Sequence, residues 1–207
     1  MKEWPDIEQG TEEWFQLRGN YFTASEVGPF ILATGKVAEN ARLNLICDKL
    51  GAPAGVIEPQ RGSFATDRGN ELEPLARAFF EVETGLEVRQ TGFCSHDSLM
   101  IGCSPDGLVG DDAGLEIKCK MPKAHVRMLL DGIVPEEHLF QIHHSMIVTG
   151  RRKWHFIGFC PAMPQLIRVV QWNDFTDKLE TGLRSLCEDF KIQKARMKQI
   201  WDEQSKK

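Results

Sequence analysis

Long apolar runs are absent from this sequence. None approaches the roughly 20 residues that a membrane-spanning helix requires, and the opening Met-Lys-Glu-Trp-Pro-Asp lacks the apolar stretch of a secretory signal. These absences lead us to expect a cytoplasmic protein. The length of 207 residues and the hydrophobic content of 42 % predict a single globular domain, residues 1–207, with one well-buried core.

Paired cysteines are absent as well. The sequence has no Cys-x-x-Cys pair that would indicate a zinc knuckle, a redox dithiol or a disulfide framework. We therefore expect reduced, buried thiols. An iron–sulfur cluster near the proposed site is an alternative that the unclustered spacing disfavours. The six cysteines are Cys47, Cys94, Cys103, Cys119, Cys160 and Cys187.

A basic excess is the third absence. The chain has 25 Lys and Arg residues against 30 Asp and Glu residues, for a net charge of −5. Phosphate binding normally needs a positive surface, so the total charge by itself disfavours a nucleic-acid enzyme. However, acidic metal ligands are neutralised when cations bind, and a basic groove can lie on an acidic body. The distribution of charge therefore matters more than its sum.

Hydrophobic periodicity predicts an α/β order of elements. Gly10 to Arg18 predicts a short helix capped at Thr11, and a second helix is expected to start within Thr23 to Val27 with Ser25 as its cap. Further helices are predicted over residues 38–50, 63–84, 123–130, 136–148 and 174–201, and strands over residues 87–94, 100–103, 114–120, 153–159 and 165–171. Turns are expected at Asp106-Gly107 and Gly110-Asp111-Asp112. In the helix over residues 63–84, the face expected to pack on a sheet contains Leu72, Leu75, Ala76, Phe79 and Phe80.

The most informative segment combines two carboxylates with a lysine. Strand side chains alternate between faces, so Glu116 and Lys118 should project together from one side. A short return of the chain would bring Asp106 beside Glu116. Carboxylate oxygens suit Mg²⁺, and two such ions can stabilise the attacking and leaving oxygens of phosphodiester hydrolysis. The lysine could orient the attacking water or stabilise charge on phosphorus.

A third carboxylate, Glu73, lies on the predicted long helix and shares a face with Ala76 and Phe80. If it faces the sheet, it needs a cation. Each feature also has a plain structural explanation. Glu116 and Lys118 alone would fit an ordinary charge pair on a surface strand, and Glu73 alone would fit a solvated helix residue.

Four blocks of sequence occur in a fixed order. They are Gln9-Gly10-Thr11 with Trp14, Arg18 and Thr23-Ala24-Ser25-Glu26-Val27; Arg68-Gly69 with Glu73 and Ala76; Cys103-Ser104-Pro105-Asp106-Gly107-Leu108 with Gly114-Leu115-Glu116-Ile117-Lys118-Cys119; and Gln141 before Ser145-Met146. Together they resemble the phage lambda exonuclease family, also called YqaJ-type viral recombinases, within the restriction-endonuclease-like superfamily. The resemblance covers most of the chain. It implies a restriction-endonuclease-like core, in which a central mixed β-sheet is flanked by helices.

The resemblance also implies an activity. It suggests a metal-dependent exodeoxyribonuclease that digests one strand of linear duplex DNA from 5′ to 3′, releases mononucleotides and leaves a 3′ single strand for annealing-type recombination. Asp106 and Glu116 would bind Mg²⁺, Ile117 would offer its backbone carbonyl to the same ion, and Glu73 would bind a second ion. Mn²⁺ is expected to substitute for Mg²⁺. By the same resemblance, Lys118 would serve the attacking water.

A pocket for the 5′-phosphate is implied at Arg18, Ser25 and Gln141, with Trp14 beside them. Guanidinium and hydroxyl groups suit phosphate oxygens, and a helix N-terminus at Ser25 would add backbone N–H groups. The resemblance further implies a ring of three subunits around DNA and a phage-type annealing protein as partner. Candidates for a basic channel lining are Lys36, Arg61, Arg68, Lys120, Lys123, Arg151, Arg152 and Lys153, although each could simply be solvated.

Three other functions remain open from the residues. The same fold and chemistry serve endonucleases. A non-catalytic DNA-binding or assembly protein could keep the fold, although the complete set of two carboxylates and a lysine argues against it. A zinc hydrolase could use His138, His143 and His144, but their spacing does not match two histidines at i and i+4 around a glutamate.

Overall fold

The helices and strands follow the predicted order along most of the chain. The structure, a computed structural model, describes residues 1–51 and 64–205. The helices in these ranges are α1 (Glu12–Gly19), α2 (Ala24–Val27), α3 (Glu39–Gly51), α4 (Phe64–Thr84), α5 (Pro122–Asp131), α6 (Glu136–Thr149) and α7 (Asp174–Gln204), with a 3₁₀ turn at Gly28–Phe30. The strands are β1 (Lys2–Trp4), β2 (Val88–Arg89), β3 (Phe93–Ser95), β4 (Gly102–Cys103), β5 (Gly107–Val109), β6 (Ala113–Cys119), β7 (Lys153–Phe159) and β8 (Leu166–Gln171).

A five-stranded mixed sheet forms the centre, in the order β2-β5-β6-β7-β8. Strands β6 and β7 run parallel, whereas the other neighbouring strands of this sheet are antiparallel. The parallel pair needs a crossover, and the chain supplies it with α5 and α6. A second, antiparallel sheet has the order β1-β3-β4. The predicted mixed sheet flanked by helices is confirmed.

Apolar side chains of β6 decide which way its polar ones point. Leu115 and Ile117 are buried in one cluster with Ala76 and Phe80 of α4. The alternation of strand side chains then turns Glu116 to the opposite face of the sheet. That face is covered by α6 and α7, whose apolar residues form a second cluster with Trp154 and Phe156 of β7.

The hairpin of β5 and β6 is held by a buried cation. The Arg151 guanidinium donates hydrogen bonds to the backbone carbonyls of Gly110 and Ala113 at 2.7 Å each, and to that of Val109 at 3.4 Å. Arg151 is only 6 % exposed. Its predicted place in a basic channel lining is therefore wrong, because its donors are directed at the backbone of the hairpin that leads into Glu116.

Some sequence predictions need correction in their boundaries. The strand predicted over residues 87–94 is divided into β2 and β3, which belong to different sheets. Gly107 was predicted to lie in a turn but begins β5, whose residues pair with β6. Strand β1 was not predicted, because three residues are too few to show an alternating pattern. Residue 63, the predicted start of the long helix, and Arg61 lie outside the described residues.

One capping prediction and one burial prediction also fail, and a second burial prediction holds only in part. The N-cap of α2 is Thr23 and not Ser25, since Glu26 completes a reciprocal capping arrangement with Thr23. Leu75 of α4 remains 53 % exposed, because the stripe through Ala76 and Phe80 is the one buried on the sheet. Phe79 is 37 % exposed, although its ring centroid lies 6.0 Å from that of Phe159 on β7.

The cysteines are unpaired thiols, but they are not all buried. Cys47 is exposed on α3 and Cys119 at the end of β6 is half-buried. None of the helices in the described ranges is long and apolar enough to cross a membrane.

Replacing Arg151 by Met should lower the free energy of unfolding by about 3 kcal/mol, because the change removes the donors from buried carbonyls. Urea denaturation measures this loss. Arg152→Met is the matched control. Arg152 is exposed, and its guanidinium carbon lies 4.1 Å from the centroid of the Trp172 ring, so its loss should lower the free energy of unfolding by under about 1 kcal/mol. Equal stabilities of the two variants would contradict the role given to Arg151.

Candidate active site

Asp106, Glu116 and Lys118 come together as the sequence predicts. Asp106 lies in the loop before β5, and its Oδ2 accepts a hydrogen bond from the backbone N–H of Ile117 at 2.6 Å. This bond fixes the Asp106 carboxylate against β6. On β6 itself, the Lys118 ammonium forms an ion pair with Glu116, so the two side chains do share one face. Two carboxylates and one lysine therefore meet at the centre of the sheet.

Glu116 is the most confined member of this group. It is 0 % exposed, and neither carboxylate oxygen has a hydrogen-bond donor among the described residues apart from the Lys118 ion pair. Burial raises the pKa of Glu116 to about 7; Lys118 opposes this shift, whereas the charges of Asp106 and Glu73 add to it. Burial also raises the pKa of Asp106. The positive charge near these two carboxylates is therefore too small to offset the effect of their burial.

The same burial and the same charges also set the pKa of Lys118. Burial alone would lower the pKa of its ammonium, but the charges of Glu116 and Asp106 outweigh burial and hold that pKa above its ordinary value. Lys118 therefore stays protonated at neutral pH. A protonated lysine is a hydrogen-bond donor and a positive charge, but it is not a base.

Glu73 reaches the cluster from α4, where it meets a cation that sequence reasoning missed. Arg77, one helical turn later, forms an ion pair with Glu73 and donates hydrogen bonds to the backbone carbonyl of Asp106 at 3.2 and 3.3 Å. Burial and the charge of Asp106 still raise the pKa of Glu73. The i,i+4 spacing of Glu73 and Arg77 was the signal in the sequence that could have revealed this contact.

The donor set fits a magnesium ion in its chemistry. The oxygens of Glu116 have no donor among the described residues besides Lys118, and the raised carboxyl pKa values are the shifts that a bound cation would reverse. Among residues 1–51 and 64–205, no group of three or more His, Cys, Asp or Glu side chains is arranged so that it could hold a metal ion by itself. The pair of Asp106 and Glu116 is within what Mg²⁺ requires, because this ion usually takes one or two carboxylates and completes its coordination with water and phosphate.

A cleft of about 560 Å³ brings together Arg18, Ser25 and Gln141 as predicted, and its lining includes Ser104 but none of the acidic cluster itself. Arg18 donates hydrogen bonds to Ser25 and, at 3.3 Å, to Thr23. Its guanidinium carbon lies 4.8 Å from the centroid of the Trp14 ring. The complete lining is Arg18, Thr23, Ala24, Ser25, Gly28, Pro29, Cys103, Ser104, Glu136, Glu137, Phe140, Gln141 and Ser145.

Ser104 connects the cleft to the acidic cluster. Its hydroxyl accepts a hydrogen bond from the Trp14 indole at 2.9 Å, and Asp106 follows two residues later. The α1 helix that carries Arg18 is therefore tied to the loop that carries Asp106. The arrangement can position an anion in the cleft and a reacting group at the carboxylates.

A buried lysine supports the Arg18 side of the cleft. Lys49 donates to the carbonyl of Tyr21 and to Glu26, both at 2.8 Å. The other oxygen of Glu26 accepts the backbone N–H of Thr23 at 2.8 Å and its hydroxyl at 2.9 Å. Lys49 carried no signal in the sequence, because its neighbours in space are about two dozen residues away along the chain.

The histidines of α6 serve the core. His143 shares a hydrogen bond of 2.8 Å with Thr176, and the His138 ring stacks on Phe156. Burial lowers the pKa of His138 to about 4 and that of His144 to about 4. These neutral, separately packed rings give the zinc-hydrolase alternative no support.

Of the candidate basic residues, two meet just after β6. Lys120 pairs with Glu137 at 2.9 Å, and Arg68 donates to the carbonyl of Lys120 at 3.4 Å. Lys36, Lys123 and Arg152 are exposed, and Lys153 is half-buried. Their role in a DNA channel stays a prediction.

Residues 13–152 match the family of YqaJ-like viral recombinase domains. The chain belongs to this family. Among solved structures, it is similar to LHK-Exo, an alkaline exonuclease from Laribacter hongkongensis, with 30 % identity and a TM-score of 0.74 over 93 % of this chain and 99 % of that one. The structure of LHK-Exo in complex with dAMP gives a TM-score of 0.75, with the same identity and coverage.

A more distant structure supports the fold alone. A phage-related exonuclease from Haemophilus somnus 129PT shares 15 % identity and a TM-score of 0.59 over 86 % of this chain and 96 % of that one. No curated protein sequence matches the chain. The neighbours confirm the predicted restriction-endonuclease-like fold.

The raised pKa of Glu116 predicts a pH dependence of stability in metal-free buffer. In the unfolded chain Glu116 ionises near 4.5, but in the fold near 7, so its contribution to stability is complete below the lower value and is lost as the pH rises through the upper one. Glu116→Gln cannot ionise. The free energy of unfolding of Glu116→Gln minus that of the parent should therefore increase by about 2 to 3 kcal/mol from about pH 5 to about pH 8.

Urea denaturation at a series of pH values, with chelator present, measures this difference. Glu137→Gln is the control: Lys120 holds the pKa of the Glu137 carboxyl below its ordinary value, so this difference should stay flat over the same window. A flat difference for Glu116→Gln as well would show that Glu116 ionises normally in the fold.

Proposed function

We propose that this chain is a metal-dependent exodeoxyribonuclease that digests one strand of linear duplex DNA from its 5′ end. Its family is that of viral recombinase domains, and the 30 % identical LHK-Exo is named an alkaline exonuclease. That relative also binds dAMP, a deoxynucleoside monophosphate of the kind that exonucleases release. These relationships support a nuclease; the residues of the site support the finer proposal.

The observation that carries the proposal is the connection between two sites of different chemistry. The acidic cluster of Asp106, Glu116 and Lys118 suits phosphodiester hydrolysis, and the cleft with Arg18 suits a phosphate. Ser104 joins them within two residues of Asp106. A terminal phosphate held in the cleft would place the next phosphodiester bond near the carboxylates.

Asp106 and Glu116 would hold a Mg²⁺ ion together with the backbone carbonyl of Ile117, and Glu73 would serve a second ion. When bound, the metal would polarise the scissile phosphate and favour ionisation of a water. Because Glu73 is paired with Arg77, it would have to share its carboxylate between that guanidinium and the cation. Mn²⁺ should substitute for Mg²⁺, since both prefer oxygen ligands.

Lys118 would stabilise negative charge on the reacting phosphate. Its ammonium remains protonated and is held by Glu116, so it can donate a hydrogen bond to a phosphate oxygen. It can also orient the attacking water by donating a hydrogen bond to the water oxygen. Its positive charge also limits repulsion between the carboxylates before a cation binds. Both roles need an ammonium at this position.

The cleft would set the direction of digestion. Arg18, Ser25 and Gln141 would bind the 5′-phosphate, with Trp14 supporting the guanidinium of Arg18. Each cleavage would release one mononucleotide and leave a new 5′-phosphate for the same pocket. The opposite strand would remain as a 3′ single strand for a phage-type annealing protein.

The family resemblance extends the proposal to assembly and location. We propose a ring of three identical subunits around the DNA, acting in the cytoplasm. A ring would keep the enzyme on its substrate without a strongly basic surface, in keeping with the net charge of −5. The main alternative function is an endonuclease of the same fold, and a non-catalytic DNA-binding protein is a further one.

Lys118→Ala should reduce hydrolysis of a linear duplex by at least about a thousandfold while leaving DNA binding within a few-fold, because the ammonium acts mainly in the transition state. Single-turnover digestion with Mg²⁺ and a fluorescence binding assay measure the two effects. Lys178→Ala, an exposed lysine on α7, is the control and should behave as the parent. Hydrolysis by Lys118→Ala within a few-fold of the parent would remove Lys118 from the mechanism.

Arg18→Ala should slow digestion of 5′-phosphorylated duplex by at least about tenfold, which corresponds to roughly 1.4 kcal/mol of charge-assisted contact. A substrate with a 5′-hydroxyl should slow the parent similarly, and the two changes together should not add. The control is Arg184→Ala, which removes an exposed guanidinium paired with Glu180.

The substrate for this test carries separate labels at its 5′ and 3′ ends, with covalently closed duplex in parallel. Early release of the 5′ label as mononucleotide supports the proposed polarity. Prior loss of the 3′ label, or equal rates on phosphate and hydroxyl ends, would contradict the pocket assignment. Cleavage of the closed circle would identify an endonuclease.

A further inference from the structure

The last part of α7 extends beyond the hydrophobic core. Phe190 is the last buried residue of this helix, and from residue 191 to residue 204 only Gln193 is even half-buried. We call residues 191–204 the α7 extension. At 1.5 Å per residue it is about 21 Å long. An isolated helix of this length is only marginally stable in water, so a partner that covers one side would stabilise it.

An apolar stripe marks the side to be covered. The buried seam of α7 runs through Leu183, Leu186 and Phe190. Helical spacing of seven and eleven residues continues the same face to Met197 and Trp201, which are 54 % and 73 % exposed. The core-facing stripe therefore continues along the α7 extension, where none of residues 1–51 and 64–205 buries it.

Cations flank this stripe. The α7 extension contains four of them before its first acid: Lys191, Lys194, Arg196 and Lys198. Lys191 lies 3.5 Å from Glu188, whereas the other three form no ion pair with any acid among the described residues. The α7 extension is thus a basic helix with an exposed apolar stripe.

Helix α4 presents a surface of the opposite character. Its Ala76 and Phe80 pack on the sheet, but Leu75 and Val82 on another face are 53 % and 86 % exposed. Phe79 lies between them along the helix and is 37 % exposed, with its ring centroid 6.0 Å from that of Phe159 on β7. We call Leu75, Phe79 and Val82 the α4 stripe.

Acids flank the α4 stripe in turn. Glu71 and Glu83 stand one helical turn before Leu75 and one after Phe79, and both are exposed. Neither pairs with a cation in the part of the chain that the structure describes. The exposed apolar residues of α5, Val126 and Leu130, offer a poorer match to a basic helix, because Lys123 and Arg127 lie beside them.

We propose that the α7 extension of one copy docks on the α4 stripe of a second copy of this chain. Apolar side chains meet at the centre of the contact, and the cations of the extension face Glu71 and Glu83 at its rim. The two surfaces are different and belong to helices on opposite faces of the central sheet. The contact is therefore head-to-tail, and repeated contacts of this type can close into a ring. The proposal specifies the surfaces of the ring assembly put forward under the proposed function.

Mixing two defective variants tests this contact. One variant carries Met197→Glu and Trp201→Glu and loses the docking helix; the other carries Leu75→Glu and Val82→Glu and loses the receiving surface. Each should self-associate at least about tenfold more weakly than the parent, since buried charges replace apolar contacts. In an equimolar mixture one intact contact remains, so a one-to-one dimer should form that cannot grow.

Sedimentation velocity without DNA or metal gives these masses independently of any nuclease activity. The control is Ile192→Glu, an exposed apolar position on the opposite side of the α7 extension, which should assemble as the parent does. Circular dichroism and thermal melting show that each variant is folded.

Four outcomes would overturn the proposal: a monomeric parent up to about 100 μM, two folded variants that assemble as the parent does, a mixture that stays monomeric, or a defect in DNA binding by the α7 variant without a change in mass. Because mass is the readout, a parent that assembles as expected but does not digest DNA would count against the proposed function alone.

Discussion

The burial of Glu116 is the constraint on which the site depends. A carboxylate removed from water is costly unless a cation meets it. Here Lys118 is the only partner that the described residues offer to its oxygens, and it must serve Asp106 as well. The protein therefore keeps a group of acids with too little positive charge, which is the condition under which a divalent cation gains most from binding.

Several hydrogen bonds hold the backbone and the second carboxylate around Glu116 in place. Arg151 fixes the hairpin that leads into β6, and the N–H of Ile117 fixes the carboxylate of Asp106. Arg77 holds the Asp106 loop through its backbone carbonyl. Such supports limit how far the acids can move apart, so the repulsion between them is retained until a cation enters. Preorganisation of this kind is what makes charged groups effective in catalysis.

Much of this arrangement follows from the sequence. The alternation in β6 was enough to place Glu116 and Lys118 on one face, and the long periodic helices were found within a few residues of their ends. Short elements were missed, since β1 and β5 have three residues each and show no period. Contacts between distant parts of the chain were missed as well. Lys49 and Arg151 look like surface cations in the sequence, and only the fold reveals the carbonyls and carboxylates that they meet.

The central claim is that Asp106 and Glu116 form a cation site that is incomplete without its metal. Calorimetric titration of Mg²⁺, and of Mn²⁺ in parallel, into the parent and into folded Asp106→Asn tests it without reference to turnover. We expect saturable binding to the parent that weakens by at least about tenfold in the variant, with Asp48→Asn, an exposed aspartate on α3, as an unaffected control. Undiminished affinity in Asp106→Asn would contradict it.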